Sequence, residues 1–413
     1  MNHLVYVILD SCRYDTYLAA RTPNLDRLGK MERRYSYASW TSPSHYVYLM
    51  GMIPHKNPTQ VFASEVYKED FRAWGARLGI PDLDFADFVP ELSLPRQLQN
   101  LGYKTVGRVS MPVLNEYTTF SQYFDDYKLM AKHADFAGMI QEIDFTGPKL
   151  YFYLLNLGET HYPYMLDESE APIMHGIHGV LKHLGAEKSS QVFFDQEQMA
   201  LFHQQQILAL EYIDGLLKEL YIKCPANTYF IITSDHGEAF GEHNHMEHGR
   251  TLYEEVLRVP LIIKYPAPYQ RRGLIEKRVS LVDLLPTILA FLNYPVPADI
   301  DGKTIEALPA DLFAELKLTP EETRKKELRD LKALYEGKEK YIWSSDGAGE
   351  LYNLEADPLE EQNLFGTYPL RVEVMDKTLK NWVASFKGRN IEGEKAQIDN
   401  QALEKLRALG YVE

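Results

Sequence analysis

Two carboxylates and an imidazole stand at the ends of apolar runs far apart in the chain: Asp10 closes LVYVIL, residues 4–9, and Asp235 with His236 closes TYFIITS, residues 228–234. These are hard and borderline ligands, and a divalent cation is what such a set holds when strand ends bring it together. Any one of them alone has a plain structural reading, because an aspartate after a strand commonly caps the next helix. The combination points to a metal site. A second segment, WTSPSHYVYLMG at 40–51, sets hydroxyls at Thr41, Ser42 and Ser44 around Pro43 just ahead of a patterned helix. Backbone amides and a helix N-terminus there can face an anion. The alternative is an ordinary helix start, with Thr41 or Ser42 capping and Pro43 in the first turn. A nearby metal would favour chemistry, since coordination lowers the pKa of a hydroxyl and turns Thr41 into a nucleophile.

Histidines supply the remaining candidates. SDHGEAFGEHNHMEHGRTLYEE at 234–255 holds His236, His243, His245 and His248 within thirteen residues, a density that rarely serves a core. His245 reads as a solvent-exposed loop residue and is left out of the site. His161, in ETHYPY, follows the apolar run YFYLLNL at 151–157 and precedes a proline turn. A lone histidine in that position is more often structural than catalytic.

The elements that must position these residues read as an α/β fold. Three continuous apolar runs end on candidate ligands, as buried strands of a parallel sheet do, and open α/β sheets bind ligands at that edge. Between them lie helical patterns at SLPRQLQNLG, 93–102, and from Gln196 to Leu220, so strand and helix alternate around a large, mostly parallel sheet sandwiched by helices. VPLIIKYP at 259–266 is a further buried strand, and SLVDLLPTILAFLNYPVP a helix followed by a proline-punctuated loop. A catalytic domain over 1–310 and a smaller C-terminal α+β lobe over 311–413 are expected. Within the lobe, the Lys- and Glu-rich stretch 318–340 reads as an exposed helical connection, KYIWSSDGAGELYNL as a hairpin, and the end of the chain as helical.

Composition sets the limits. The chain has 413 residues, 45% hydrophobic and 25% charged, enough for one large core and a smaller lobe. A net charge of −15 argues against a surface built to hold nucleic acid. An anionic substrate is still compatible, because a bound cation reverses the local field. Cys12 and Cys224 imply neither a disulfide framework nor a cysteine zinc site, and both are expected as reduced core thiols. No apolar run approaches the roughly 20 residues that cross a bilayer, and the first residues lack a signal pattern, so the expectation is a cytoplasmic protein without a membrane partner.

At these residues the chain resembles the sulfatase family of the alkaline phosphatase superfamily. VILDSCRYDTY with TPNLDRLGK, TSPSHYVYLMGMIPH, NLGETHYPY, SDHGEAFGEH with HGRTLYEEVLRVPLII, VDLLPTIL, DGKTI, ELYNLEADPLEEQNL and ALGYVE follow the family's segments in order. The resemblance implies metal-ligand roles for Asp10, Asp235 and His236, a nucleophile and additional ligand in Thr41, and contacts to the transferring group from Arg13, His161 and His248. Departures redirect the function. Sulfatases carry Cys or Ser within Cys-x-Pro-Ser-Arg and convert it to formylglycine; this chain has Thr41, which cannot become that aldehyde, and His45 for the arginine. Ser11 replaces a second aspartate ligand, and His248 replaces a lysine.

A Thr nucleophile with Asp and His ligands is similar instead to the phosphodiesterase and phosphoethanolamine transferase branches. Their cofactor is zinc or manganese, with calcium or magnesium as the other options here. One ion is expected, and His161 with His248 could hold a second, about 4 Å from the first, or serve as donors to the substrate. The expected activity is hydrolysis of a small anionic phosphate mono- or diester or phosphonate ester through Thr41, with Arg13 buttressing the site through Asp15. A sulfate ester hydrolase without formylglycine, or an inactive binder of a phosphorylated or sulfated ligand, are the alternatives. Residues 56–92 and 165–195 fit the family pattern poorly and are expected to form insertions near the site that set selectivity.

Overall fold

The computed structural model describes residues 2–51, 55–56, 61–62, 93–111, 114–116, 121, 124–165, 196–266, 278–297, 300–304, 311–316 and 329–385. The two stretches expected as insertions lie almost wholly outside these residues, as does the chain after Ser385.

Seven strands form the main sheet: β1 (His3–Leu9), β2 (Glu32–Tyr35), β3 (Lys104–Val109), β4 (Asp126–Leu129), β5 (Tyr151–Leu157), β6 (Thr228–Thr233) and β7 (Arg258–Lys264), in the order β2-β7-β6-β1-β5-β3-β4. β1 lies at the centre, parallel to β5 and β6, and only β7 runs against its neighbours. Both faces of β1 are covered. Leu4, Tyr6 and Ile8 point to one side, where they meet α3 (Thr41–Met50), α4 (Leu94–Asn100) and α7 (Leu284–Phe291). Val5, Val7 and Leu9 point to the other, against α1 (Tyr14–Ala19), α2 (Pro23–Leu28), α5 (Phe136–Glu142) and α6 (Gln196–Lys223). The alternation is that of any strand; both faces read as apolar because both are buried. Asp214 of α6 holds α2 in place, its Oδ1 accepting the amides of Asn24 at 3.0 Å and Leu25 at 2.7 Å.

A second, antiparallel sheet is built from β8 (Leu312–Leu316), β9 (Leu331–Glu336), β10 (Glu339–Ser344) and β11 (Glu350–Asn353). The expected hairpin is the β10–β11 pair. The helical connection expected over 318–340 is corrected by β9, which occupies 331–336. Leu331, Ala333 and Tyr335 of LKALYE fall on one face and pack with Leu312, Ala314 and Ile342 against Tyr35, Trp40, Leu252 and Val256 of the larger unit. Between them, Leu334 is buried on the other face and Lys332 pairs with Glu315 of β8, so the Lys and Glu content that suggests a solvated helix belongs in part to a covered strand. α8 (Pro369–Ser385) covers the opposite face through Met375 and Leu379. Cys12 is buried as expected, whereas Cys224 is half-buried. Among the described residues no helix is long and apolar enough to cross a membrane.

Candidate active site

Asp10 is the first residue beyond β1 and Asp235 the second beyond β6, so two adjacent parallel strands deliver both carboxylates to one edge of the sheet. Both are fully buried. Asn156, opposite Ile8 in the β1–β5 register, donates to Asp10 Oδ2 at 2.8 Å and so orients the group, with Oδ1 lying 3.5 Å from Thr41 Oγ1. Asp235 Oδ1 accepts the amides of Ser11 at 3.2 Å and His236 at 3.0 Å, while its Oδ2 accepts no hydrogen bond. His236 Nδ1 donates to the Gly237 carbonyl at 2.8 Å. That leaves Nε2 facing Thr41 Oγ1 at 3.2 Å and Asp235 Oδ2 at 3.4 Å. One ligand atom from each of Asp10, Asp235 and His236 lies within 4.8 Å of the other two.

Electrostatics favours a cation among these groups. Burial, and then the neighbouring Asp235 charge, pushes the Asp10 carboxyl well above its ordinary range, and burial pushes Asp235 up to about 7. Burial lowers His236 to about 4, so the imidazole is neutral at pH 7 and offers its Nε2 lone pair. Two buried carboxylates without a positive partner are costly. Two carboxylate oxygens, one of them the unsatisfied Asp235 Oδ2, and an imidazole nitrogen make a donor set that fits a divalent cation.

The geometry bears on the two readings of Thr41. The N-cap of α3 is Trp40, with no side-chain cap, and Thr41 is the first helical residue. Its hydroxyl turns toward Asp10 and His236 instead of capping the helix. Pro43 falls in the first turn, where its missing N–H costs nothing. One turn on, His45 donates Nδ1–H to the Thr41 carbonyl at 2.8 Å and sits 3.7 Å from Asp235 Oδ2; burial pushes it down to about 3, so it is no substitute for the positive charge of an arginine.

His161 and His248 join the site through their rings, the His248 centroid lying 4.3 Å from that of His236 and 5.3 Å from that of His161. His161 Nδ1 donates to the Tyr162 carbonyl at 2.9 Å, and its buried Nε2 has no hydrogen-bond partner. His248 Nδ1 lies 2.9 Å from Oε1 of buried Glu238, whose Oε2 accepts from the Tyr164 hydroxyl at 3.1 Å. Arg13 is committed to protein partners. Its Nε and Nη2 hold Asp15 at 2.7 and 2.5 Å, and Nη1 donates to Glu242 at 2.6 Å and to the Glu238 carbonyl at 3.2 Å. His245, expected to be exposed, is half-buried near Tyr253 and remains outside the cluster.

Asn156, Glu238 and Gln206 were not picked out by sequence reasoning. Asn156 had a signal, as the one polar residue in YFYLLNL, and Glu238 stands in SDHGE. Gln206, on α6, ties two site loops together by donating to the carbonyls of Ser11 at 2.9 Å and Thr160 at 3.0 Å, and nothing local marks it. Gly237 is required by packing, because a Cβ there would collide with the Glu255 carbonyl.

The sulfatase family model matches residues 2–294. Arylsulfatase K of Xenopus laevis is 32% identical over 190 residues, 41% of this chain and 35% of that protein. The N-acetylglucosamine-6-O-sulfatase of Bacteroides thetaiotaomicron is 32% identical over 157 residues, 34% of this chain and 27% of that protein. The matched stretch thus spans about a third of these relatives' own length. The phosphonate monoester hydrolase of Agrobacterium radiobacter superposes with a TM-score of 0.64 at 16% identity, covering 93% of this chain and 96% of that one, a likeness of fold.

Proposed function

The chain belongs to the sulfatase family, and on that premise we propose that it hydrolyses a small phosphate mono- or diester or phosphonate ester, with Thr41 as nucleophile. The observation that carries this reading is the Thr41 hydroxyl, 3.2 Å from His236 Nε2 and 3.5 Å from Asp10 Oδ1, in a family whose usual nucleophile derives from cysteine or serine. A threonine cannot yield the aldehyde hydrate on which that route depends, but its oxygen can attack phosphorus directly. The name of the Agrobacterium enzyme, a phosphonate monoester hydrolase, agrees with phosphorus as the target.

Asp10, Asp235 and His236, with the Thr41 oxygen, would hold a divalent cation of the zinc or manganese type. When bound, the ion supplies positive charge that lowers the pKa of the Thr41 hydroxyl and offsets charge on the ester oxygens. Thr41 attacks in line, and the phosphoryl group passes to its Oγ as the alcohol departs. Asn156 fixes which Asp10 oxygen faces the nucleophile. His161 and His248 have their Nδ1 atoms engaged, so their neutral Nε2 atoms face the substrate, where one takes the proton that Thr41 releases and gives it to the departing alcohol oxygen. Water then cleaves the phosphothreonine. Arg13 acts through Asp15, Glu242 and the Glu238 carbonyl and holds the loops in register.

A sulfate ester is the second reading, favoured by the sulfatases among the relatives. The two separate in a rate panel on the purified protein, using nitrophenyl phosphate, bis-nitrophenyl phosphate, a phosphonate monoester and nitrophenyl sulfate, each with zinc, manganese, magnesium or calcium. Phosphorus-ester turnover that vanishes in Thr41→Ala supports the proposal. Turnover confined to the sulfate overturns it in favour of the sulfatase reading.

A further inference from the structure

A second set of ligand-type side chains converges away from the first. His243 lies on the 3-10 turn Glu242–Asn244, Glu255 on the helical turn Glu254–Leu257, and Glu360 in the loop after β11. One ligand atom from each lies within 4.8 Å of the other two. The set shares no residue with Asp10, Asp235 and His236.

Glu255 is the unexplained member. Its side chain is 7% exposed, and its Oε1 accepts no hydrogen bond. The nearest cationic candidate is His243 Nε2 at 4.0 Å, too long for a hydrogen bond. Burial, and then the Glu360 charge, pushes the Glu255 carboxyl up to about 8. The other two members are held as ligands usually are. The His243 ring stacks on Tyr253 with centroids 3.8 Å apart and planes at 19°, which fixes the imidazole. Glu360 accepts the Glu254 amide at 2.7 Å through Oε2, which fixes the carboxylate.

The charges nearby do not answer the Glu255 carboxylate. Lys340 lies 2.7 Å from Glu360 and 3.3 Å from Glu254, and Arg258 Nε lies 3.8 Å from Glu254. Lys340 is thus directed at Glu254 and Glu360 and Arg258 at Glu254, while Arg13 acts on Glu255 only from beyond ion-pair distance. A partly open cavity of about 390 Å³, whose lining includes Arg13, Glu242, His243, Glu255, Arg258 and Leu359, reaches two of the three ligands, His243 and Glu255.

We propose that His243, Glu255 and Glu360 form a second divalent-cation site, structural in role. One imidazole and two carboxylates suit zinc or manganese, with water completing the coordination. The ion would fasten the loop after β11 to the segment that also carries Asp235, His236 and His248, joining the small sheet to the larger unit where the site is assembled.

The test counts metal in the full chain carrying Asp235→Asn and His236→Ala, which removes ligands of the first site. Loaded with zinc or manganese and desalted, this protein should keep one equivalent by elemental analysis, and zinc should raise its melting temperature. Adding His243→Ala should abolish both. An empty background protein, or an equivalent that survives His243→Ala, overturns the proposal in favour of a protonated Glu255. If the background variant does not fold, the count is made on the wild type against His243→Gln and Glu255→Gln, with two equivalents expected against one. Equal counts there overturn it. Thr41-dependent turnover is a separate readout, so this proposal and the proposed activity fail independently.

Discussion

The Thr41 hydroxyl lies 3.2 Å from Nε2 of His236, a residue 195 positions away in sequence. Nothing in the start of α3 requires that orientation, because the helix has no side-chain cap. The contact comes from the fold, which brings the first turn of α3 against the end of β6. Removing the hydroxyl should therefore disturb chemistry much more than structure.

Thr41→Ala should lower turnover on the preferred ester on the order of 10³-fold or more, as loss of a nucleophile does. Metal content and melting temperature should stay near wild type, since the three other ligand groups remain. Thr41→Ser, which keeps the oxygen, should retain measurable turnover. Steady-state rates beside elemental analysis make the check; an active alanine variant would remove Thr41 from the mechanism.

Asp235→Asn should weaken metal binding and turnover together. The metal-free proteins should behave differently. In the wild type two adjacent buried carboxylates share no cation and Asp235 Oδ2 is unsatisfied, so neutralising one relieves repulsion. Melting temperatures with a chelator should be equal or higher in the variant, and the rise on adding metal should shrink, because an ion stabilises only the state that binds it. A variant with wild-type metal content would place the ion elsewhere.

The Arg13 network gives a pH dependence of definite sign. Burial alone would raise the Asp15 and Glu242 carboxyls, but the charge and hydrogen bonds of Arg13 outweigh it and both titrate below their ordinary values. Carboxyls with depressed folded pKa values stabilise the protein above their unfolded pKa and lose that contribution as pH falls through the folded one. The melting-temperature advantage of wild type over Arg13→Gln should be full at neutral pH and shrink below about pH 4. Both carboxylates are more than a third exposed, so the advantage should also shrink in high salt. An advantage that persists at low pH would mean that Arg13 contributes through packing on Phe240.

What the sequence disclosed followed burial. β1 and β5 were legible because strands covered on both faces are apolar throughout, and each led to a site residue, Asp10 at the end of one and His161 beyond the other. β9 was misread because its alternation is short and mixed with charge. Thr41 could not be distinguished from a cap, since both readings need the same hydroxyl at the same helix start. Asn156 and Gln206 were illegible for another reason. Their partners Asp10 and Ser11 lie 146 and 195 positions away, and the contacts exist only once strands and α6 have packed.

In the proposed mechanism Glu238 should set which nitrogen of His248 faces the substrate. Its Oε1 lies 2.9 Å from His248 Nδ1 and its Oε2 accepts from the Tyr164 hydroxyl. Burial pushes the Glu238 carboxyl up to about 8; once ionised it can only accept, so it then holds the proton on His248 Nδ1 and leaves Nε2 as the free lone pair. Glu238→Gln keeps the size of the side chain but introduces an N–H group. If the amide turns that group to His248, the proton moves to Nε2 and the lone pair faces the wrong way. Turnover should fall by about 10- to 100-fold, the usual cost of losing an orienting partner, with melting temperature little changed. Nitrogen NMR on labelled histidine should show the His248 tautomer reversed. Unchanged turnover and tautomer would mean that Glu238 serves only to satisfy Tyr164 in the core.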